Sequence, residues 1–333
     1  MSNNQKLRWG IISTAKIARE KMIPALQAST HNEVYAVASR SQEQASAFAK
    51  KANIPHAYGD YEQLLHDPNI DVIYNPLPNH LHVPWTIKAM ETGKHVLCEK
   101  PIGLDVNEVE KLITTAQQYP DLKVMEAFMY RFHPQWAVAK QMIADGEIGK
   151  ITTIDAVFTY HNVDENNVRN QPGIGGGGLM DVGCYGISAA RYLLNKEPLQ
   201  VMAKLTIDNN FNVDKHANGL LDFGDVKASI YCSMQSEPAQ RVYIIGEKGS
   251  LTIEFPFYQP DNCDARIVVK HDQVTEVHQV AGCDHYQKQA DALASAIHNN
   301  AKTPTPLTDA LANMKVIDAM FKSHQDNCWV SLS

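Results

Sequence analysis

Lys94-His95-Val96-Leu97-Cys98-Glu99-Lys100-Pro101 decides how this chain is read. Its first half is a short apolar strand, entered from a helix that stops at Gly93. Its second half leaves the strand at a lysine followed by a proline, and a new helix opens at Asp105. A strand, a turn and then a helix is the alternation of a parallel sheet. Open α/β sheets place their ligands beyond the carboxyl ends of the strands, which is where Lys100 stands. Pro101 drives Lys100 out of the helical region and admits a cis bond.

The same alternation extends in both directions. Residues 6–12 read as a buried strand, and Ser13-Thr14-Ala15-Lys16-Ile17-Ala18 starts a helix that runs to about residue 28. Strands follow at 33–38, 71–75, 96–98 and 123–127. Helices are expected from the Ser41-Gln42-Glu43-Gln44 capping signal, over 60–65, over 80–92 and over 105–118, with Asp105 and Glu108 placed for capping. Short joins make the sheet parallel and wound on both faces, an N-terminal Rossmann arrangement over residues 1–127.

From residue 128 the pattern changes. Tyr130-Arg131-Phe132-His133-Pro134 leads into a helix ending near Gly146, and a long strand covers 151–160. A polar loop, 161–172, and a glycine run, 173–178, precede a helix over 179–194. Strands then come in sequence at 199–207, 217–223, 226–235, 239–246, 249–255, 266–270 and 274–280, with turns at 222–225 and 247–249. Closing helices cover 284–299 and 309–323, and a terminal strand 329–332. Residues 128–333 are therefore expected to form an α+β domain with a large, mostly antiparallel open sheet and helices on one face. Apolar alternation through Ala228–Met234 points to subunit pairing over the other face.

Composition sets the class. A chain of 333 residues with 44% hydrophobic and 20% charged residues has the material for two soluble domains. The net charge of −7 argues against nucleic acid or an anionic membrane as partner. No stretch is long enough to span a membrane, and a strand beginning by Leu7 leaves no room for a signal peptide. Six scattered cysteines without a C-x-x-C suit reduced thiols in the cytoplasm. No His/Asp/Glu spacing suggests a metal site.

The turn after the first strand should hold a pyrophosphate on free N–H groups at a helix start. It lacks the usual glycines: Ser13 and Ala15 stand in two of the places and Ala18 in the third. Ser13, Thr14, Ala15, Lys16 and Ile17 are the candidate contacts. The second strand ends in Ser39-Arg40-Ser41 where an acidic residue would select NAD, so a 2′-phosphate and hence NADP is expected, with NAD possible. Pro76 and Pro78 stiffen the turn at the next strand end and Asn79 can cap the helix that starts at His80; Pro76, Leu77 and Asn79, with His82, Glu99 and Lys100, complete the expected cofactor set. His80 and His82 also read as plain helix-surface residues.

Taken together these stretches resemble the glucose–fructose oxidoreductase / inositol dehydrogenase (Gfo/Idh/MocA) family. The resemblance is carried by Trp9–Ala18, the Pro-Leu-Pro-Asn turn at 76–79, Glu99-Lys100-Pro101, Ala127–Gln135 and Gly175–Tyr185. It is most similar to the branch holding dimeric dihydrodiol dehydrogenase and D-xylose 1-dehydrogenase. It implies a cytoplasmic, NAD(P)-dependent dehydrogenase of a sugar or related polyol, pairing through its C-terminal sheet as a homodimer or homotetramer. Some relatives bind the dinucleotide without catalysis as regulators, and these should lose the lysine or the acid–tyrosine pair.

Asp181 and Tyr185 stand four apart on an expected helix, an acid and a phenol on one face. A free phenol titrates near ~10, so a base near neutrality needs a cation to favour its phenolate. Tyr185 is expected to take the proton of the substrate hydroxyl, Lys100 to act as its electrostatic partner, and Asp181 to orient substrate or tyrosine. In relatives with histidine at the position of Tyr185 the lysine often takes the leading role, so the two are held as a coupled pair. Arg131, His133, Asn162 and Arg169 are placed to read substrate hydroxyls. His285 either looks into a cleft or lies on the surface. The substrate itself and the direction of reaction are not legible.

Overall fold

The computed structural model describes residues 5–259 and 263–332. The chain divides into two compact units: one takes in the chain up to Met129 together with Asp284–Leu311, the other Tyr130–Cys283 together with the chain from Ala312.

The first unit is built on six parallel strands, β1 (Leu7–Ile12), β2 (Asn32–Ala38), β3 (His56–Tyr58), β4 (Val72–Asn75), β5 (His95–Cys98) and β6 (Val124–Glu126). Their order is β3-β2-β1-β4-β5-β6, so the winding reverses between β1 and β4. That reversal opens a crevice at the carboxyl ends of the strands. The connecting helices are α1 (Ile23–Ala28), α2 (Gln42–Ala52), α3 (Tyr61–Leu65), α4 (His82–Glu91) and α5 (Val106–Ala116). Their starts follow the sequence signals. Ser41 caps α2 by accepting from the Gln44 N–H, and Asp60 does the same for α3 at Glu62. Asp105 accepts from the Glu108 N–H at 2.9 Å while Glu108 accepts from the Leu104 N–H at 2.8 Å, a reciprocal cap. Asn79 was expected to cap α4, but that helix has no side-chain cap and is entered through a 3-10 turn over Asn79–Leu81. The three-residue β3 was not expected from the sequence.

Asp284–Leu311 returns to this unit, so a single cut between residues 127 and 128 does not divide the chain. The reason lies in one buried polar knot. Helix α8 (His285–His298) brings Asp291, whose Oδ1 accepts from Ser29 Oγ at 2.5 Å and Asn32 Nδ2 at 2.9 Å. Asn32 in turn accepts from Trp9 Nε1 at 2.8 Å. Buried polar groups must find partners, and Asp291 completes this set.

His95 opens β5 with its Nδ1 accepting the Lys123 N–H at 2.9 Å. Protonation would break that bond, and burial together with the Lys123 charge lowers its pKa to about 4. A histidine depressed below its unfolded value of about 6.5 contributes fully above that pH and loses its contribution as pH falls toward 4, because the unfolded chain binds the proton more readily. We expect stability to drop by about 1–2 kcal/mol from this group between pH 7 and pH 5. Urea unfolding of wild type and His95→Asn at both values checks this: the asparagine variant should lose less, and equal losses would refute it.

The second unit contains α6 (Pro134–Ala144), β7 (Ile151–His161), α7 (Cys184–Leu194), β8 (Gln200–Ile207), β9 (Asp214–Asp222), β10 (Lys227–Ser233), β11 (Gln235–Gly246), β12 (Gly249–Ile253), β13 (Ala265–His271), β14 (Val274–Val280) and β15 (Val330–Ser331), with the greater part, from Ala312, of α9 (Leu307–Asp326). Its nine-stranded sheet runs β14-β13-β12-β11-β7-β10-β9-β8-β15. Every neighbouring pair is antiparallel except β7 and β10, which are joined through α7 and the β8–β9 hairpin. Helix α7 packs on β7 and β10, and α6 on β12 and β13. Ala228, Ile230 and Cys232 are buried on β10 while Ser229 and Tyr231 alternate with them, and Leu220 and Ile245 are exposed. No described helix is long and apolar enough to cross a membrane.

Candidate active site

In the first unit the nucleotide turn is built without glycine. Ser13 takes a left-handed φ of 96° directly after β1, and its N–H donates to the Ala38 carbonyl at the end of β2. Helical structure begins at Lys16, and the Arg19 N–H is bonded to the Ala15 carbonyl. The N–H groups of the first turn, around Ala15, Lys16 and Ile17, therefore have no acceptor within the helix. Thr14, Ala15 and Ile17 are half-buried beside them and Lys16 is exposed. These small residues and free donors fit the pyrophosphate of a dinucleotide.

The adenosine end is lined differently from the sequence reading. Arg40 is exposed, but Ser39 is buried with its hydroxyl on Gln44, and the Ser41 hydroxyl is spent on capping α2. Arg40 is thus the main phosphate-reading candidate of the three. Tyr61 joins it: its hydroxyl is bonded to Ser13 and feels the Arg40 charge, while burial raises its pKa. Nothing in the local sequence marks Tyr61, since its role depends on β3 bringing α3 back toward the first turn.

At the next strand ends, Pro76 and Leu77 are buried and the Leu77 N–H donates to Asn75 Oδ1 at 3.3 Å. Asn79 is half-buried on the 3-10 turn. The Glu99 carboxylate accepts from Tyr74 Oη at 2.7 Å. Burial and that carboxylate push the Tyr74 phenol up, so it stays a donor. Glu99 thereby fixes the turn. Lys100 follows, half-buried, with a cis bond to Pro101. His82 is not on the helix surface. It is 1% exposed, with Nδ1 2.8 Å from the Pro101 carbonyl and Nε2 2.7 Å from the Leu77 carbonyl. Burial lowers its pKa to about 4, against two carbonyls that favour the cation. The neutral ring has one N–H, so it donates to one of these carbonyls and packs against the other, between the proline turn and the lysine turn. His285 is buried too, so the surface reading fails.

In the second unit, Asp181 and Tyr185 lie on one continuous helical stretch, but its first turn, Leu179–Gly183, is π-helical before α7 begins. Such turns recur at functional sites. Gly183 allows this helix to seat on β10, since a methyl there would meet Cys232 Sγ at 2.9 Å. Asp181 is gripped from two sides: Arg169 Nε lies 2.8 Å from Oδ1, and Tyr160 Oη donates to Oδ2 at 2.6 Å. Asp181 keeps the Arg169 cation well above its usual range. Burial and the same carboxylate raise the Tyr160 phenol. Tyr185 is 5% exposed, its ring packed against Tyr130, Phe158 and Phe257 at 5.4–5.7 Å. The field of Tyr185 also reaches Arg169. Tyr160, missed in the sequence, could have been found only by knowing that the end of β7 faces this helix.

The remaining candidates divide. Asn162 accepts from the Asp164 N–H and Asn170 Nδ2, shaping the polar loop close to Tyr160. Arg131 Nη2 donates to Ser188 Oγ at 2.7 Å and its guanidinium lies over Tyr192. His133 is 1% exposed and caps α6 by accepting the Gln135 N–H. Both were expected to read substrate, and these bonds set their side chains on Ser188 and at the start of α6. Arg169 pairs with Asp181, and the field of Tyr185 reaches Arg169.

Residues 7–128 match the oxidoreductase family with an NAD-binding Rossmann fold, and residues 136–252 match the Gfo/Idh/MocA C-terminal domain. The chain belongs to this family. It is an oxidoreductase with an NAD(P)-binding unit. It is 33% identical to D-xylose 1-dehydrogenase (NADP(+)) 2 of Haloferax volcanii, over 98% of this chain and 100% of that protein. It is 33% identical to trans-1,2-dihydrobenzene-1,2-diol dehydrogenase of Mus musculus, over 74% of each chain. Among solved structures, the 3-ketoreductase KijD10 of Actinomadura kijaniata, in complex with NADP and TDP-benzene, superposes with a TM-score of 0.91 at 30% identity, covering 96% of this chain and 98% of that one. That ketoreductase has also been solved with one tyrosine changed to phenylalanine and with one lysine changed to alanine.

Proposed function

We propose that this oxidoreductase prefers NADP and moves a hydride between the nicotinamide and the secondary alcohol or hemiacetal carbon of a sugar or related polyol. The bound nicotinamide supplies the hydride-accepting chemistry. The protein does the rest. Tyr185 takes the hydroxyl proton, Lys100 donates to the same oxygen and favours the phenolate, and Arg169 and Tyr160 hold Asp181 for the substrate. The arrangement that supports this best is the Arg169–Asp181–Tyr160 grip on the helix that carries Tyr185. A protein that only sensed dinucleotide would have no use for it. The NADP preference rests on the exposed Arg40 beside Tyr61 and on the absence of an acidic residue at the end of β2. The NADP-linked relatives agree with it.

The deciding experiment follows nicotinamide absorbance with aldoses, inositols and trans-dihydrodiols, in both directions and with both dinucleotides. Turnover favouring NADP is expected. Preference for NAD would defeat the cofactor assignment, and binding without turnover on any member would favour a regulator. We further propose that the protein is cytoplasmic and pairs as a homodimer or homotetramer through the sheet face carrying Leu220, Tyr231 and Ile245. A monomer in sedimentation equilibrium would remove the pairing, and fractionation of cells checks the location.

A further inference from the structure

We infer that Asp214 is a positioning residue for the acid–phenol helix, setting where Asp181 and Tyr185 stand although it touches neither the substrate nor the cofactor in our scheme. This rests on the dehydrogenase reading above. Asp214 is the first residue of β9, far along the chain from the helix it serves, and is 2% exposed. Its Oδ2 accepts the Leu179 N–H at 2.7 Å, and it also takes the Gly178 N–H. Those donors open the π-helical turn. A helix that needed only a cap would take one from an adjacent Ser, Thr or Asp in contact with water. Burying a carboxylate costs stability unless donors surround it, so this one is placed where its bonds are made or the fold suffers.

The seat is shaped for that carboxylate. Gly177 has φ +110°, and a methyl built on it would lie 2.0 Å from Asp214 Oδ1. Glycine alone allows the approach. Two backbone bonds then fan out from Gly177. Its N–H donates to the Arg169 carbonyl at 2.9 Å, and its own carbonyl accepts the Asp181 N–H at 3.0 Å. Arg169 and Asp181, which pair through their side chains at 2.8 Å, are thus also hung from the same residue through their backbones. Asp214 packs against Gly177 and bonds the two N–H groups that follow it, and Gly177 is bonded to both partners. Tyr185 stands one turn further along the same stretch.

Asp214→Asn keeps the shape but replaces one of the two carboxyl oxygens with an NH2 group, which cannot accept. Burial raises the Asp214 carboxyl to about 7, so the loss of an acceptor oxygen matters here beyond the charge, and it should lower kcat by about 10- to 100-fold. Dinucleotide affinity should stay within about twofold, since the cofactor contacts lie on the other unit. The primary deuterium isotope effect on kcat should rise, because a displaced base slows the hydride step itself; a smaller folded fraction would lower kcat and leave that effect unchanged. Gly177→Ala attacks the same contact from the other side. In an Asp214→Ala background it should add less than it does alone, since the two share one contact. Amide hydrogen exchange gives a readout independent of turnover: Leu179 and Asp181 should exchange at least about tenfold faster in Asp214→Asn, while β10 amides keep their protection. Unchanged exchange at those amides, or a kcat loss with an unchanged isotope effect, overturns the inference. A wild-type protein inactive on the whole substrate panel would sink the dehydrogenase reading instead and leave the exchange result to judge Asp214.

Discussion

Tyr185→Phe is expected to lower kcat by about two orders of magnitude or more and to leave dinucleotide binding intact. The substitution removes one hydroxyl from a ring that is otherwise held by its neighbours. Tyr130, Phe158 and Phe257 pack against its faces and edges, and phenylalanine keeps every one of those contacts. The helix start is set by Asp214 and the Asp181 grip by Arg169 and Tyr160, and the hydrogen bonds and ion pair of that set are made by atoms other than the lost oxygen. A fall in turnover would therefore report chemistry and not collapse of the site. Positioned acid–base groups contribute about 10²- to 10⁴-fold, which sets the scale. The check is kcat with the best substrate of the panel beside a titration of dinucleotide binding. Near-normal turnover would remove the tyrosine from the mechanism.

Much of this was legible in the residues because local chemistry and fold agreed. The strands of the first unit are short apolar runs between capped helices, and Asp105 with Glu108 or Ser41 with Gln44 mark their starts as the backbone requires. The turn at Ser13 was readable without glycine because small side chains suffice for close approach, although the left-handed φ of 96° at a serine was not. What failed to show has a common cause: it depends on pieces far apart in sequence. Asp291 docks α8 on Ser29 and Asn32, so the return of Asp284–Leu311 to the first unit is invisible to a reading by composition. Tyr160, Asp214 and Tyr61 serve residues that precede or follow them by tens of positions. The carbonyls around His82, the N–H on His133 and the hydroxyl on Arg131 were likewise not legible, because each partner is set by how the chain folds around the residue. The π-helical turn at Leu179–Gly183 also escaped, since apolar periodicity does not resolve one extra residue in a turn.

Lys100→Ala should be at least as damaging as Tyr185→Phe, by about two orders of magnitude or more in kcat. The lysine leaves the carboxyl end of β5 between a glutamate held by Tyr74 and a proline whose carbonyl faces His82, so its backbone is fixed on both sides. Alanine leaves those bonds in place and removes the ammonium with its alkyl stem. In our scheme that ammonium does two things: it donates to the substrate oxygen, and it favours the phenolate of Tyr185. Losing the second should move the rising limb of the kcat/KM pH profile toward the ~10 of a free phenol. High pH would then recover part of the lost rate in Lys100→Ala, and Tyr185→Phe would show no such recovery. The double variant should lose much less than the product of the single losses, as groups acting on one proton do. Lys100→Ala that turns over normally would contradict the central assignment. Losses that multiply in the double variant would keep both residues important but break the coupling between them.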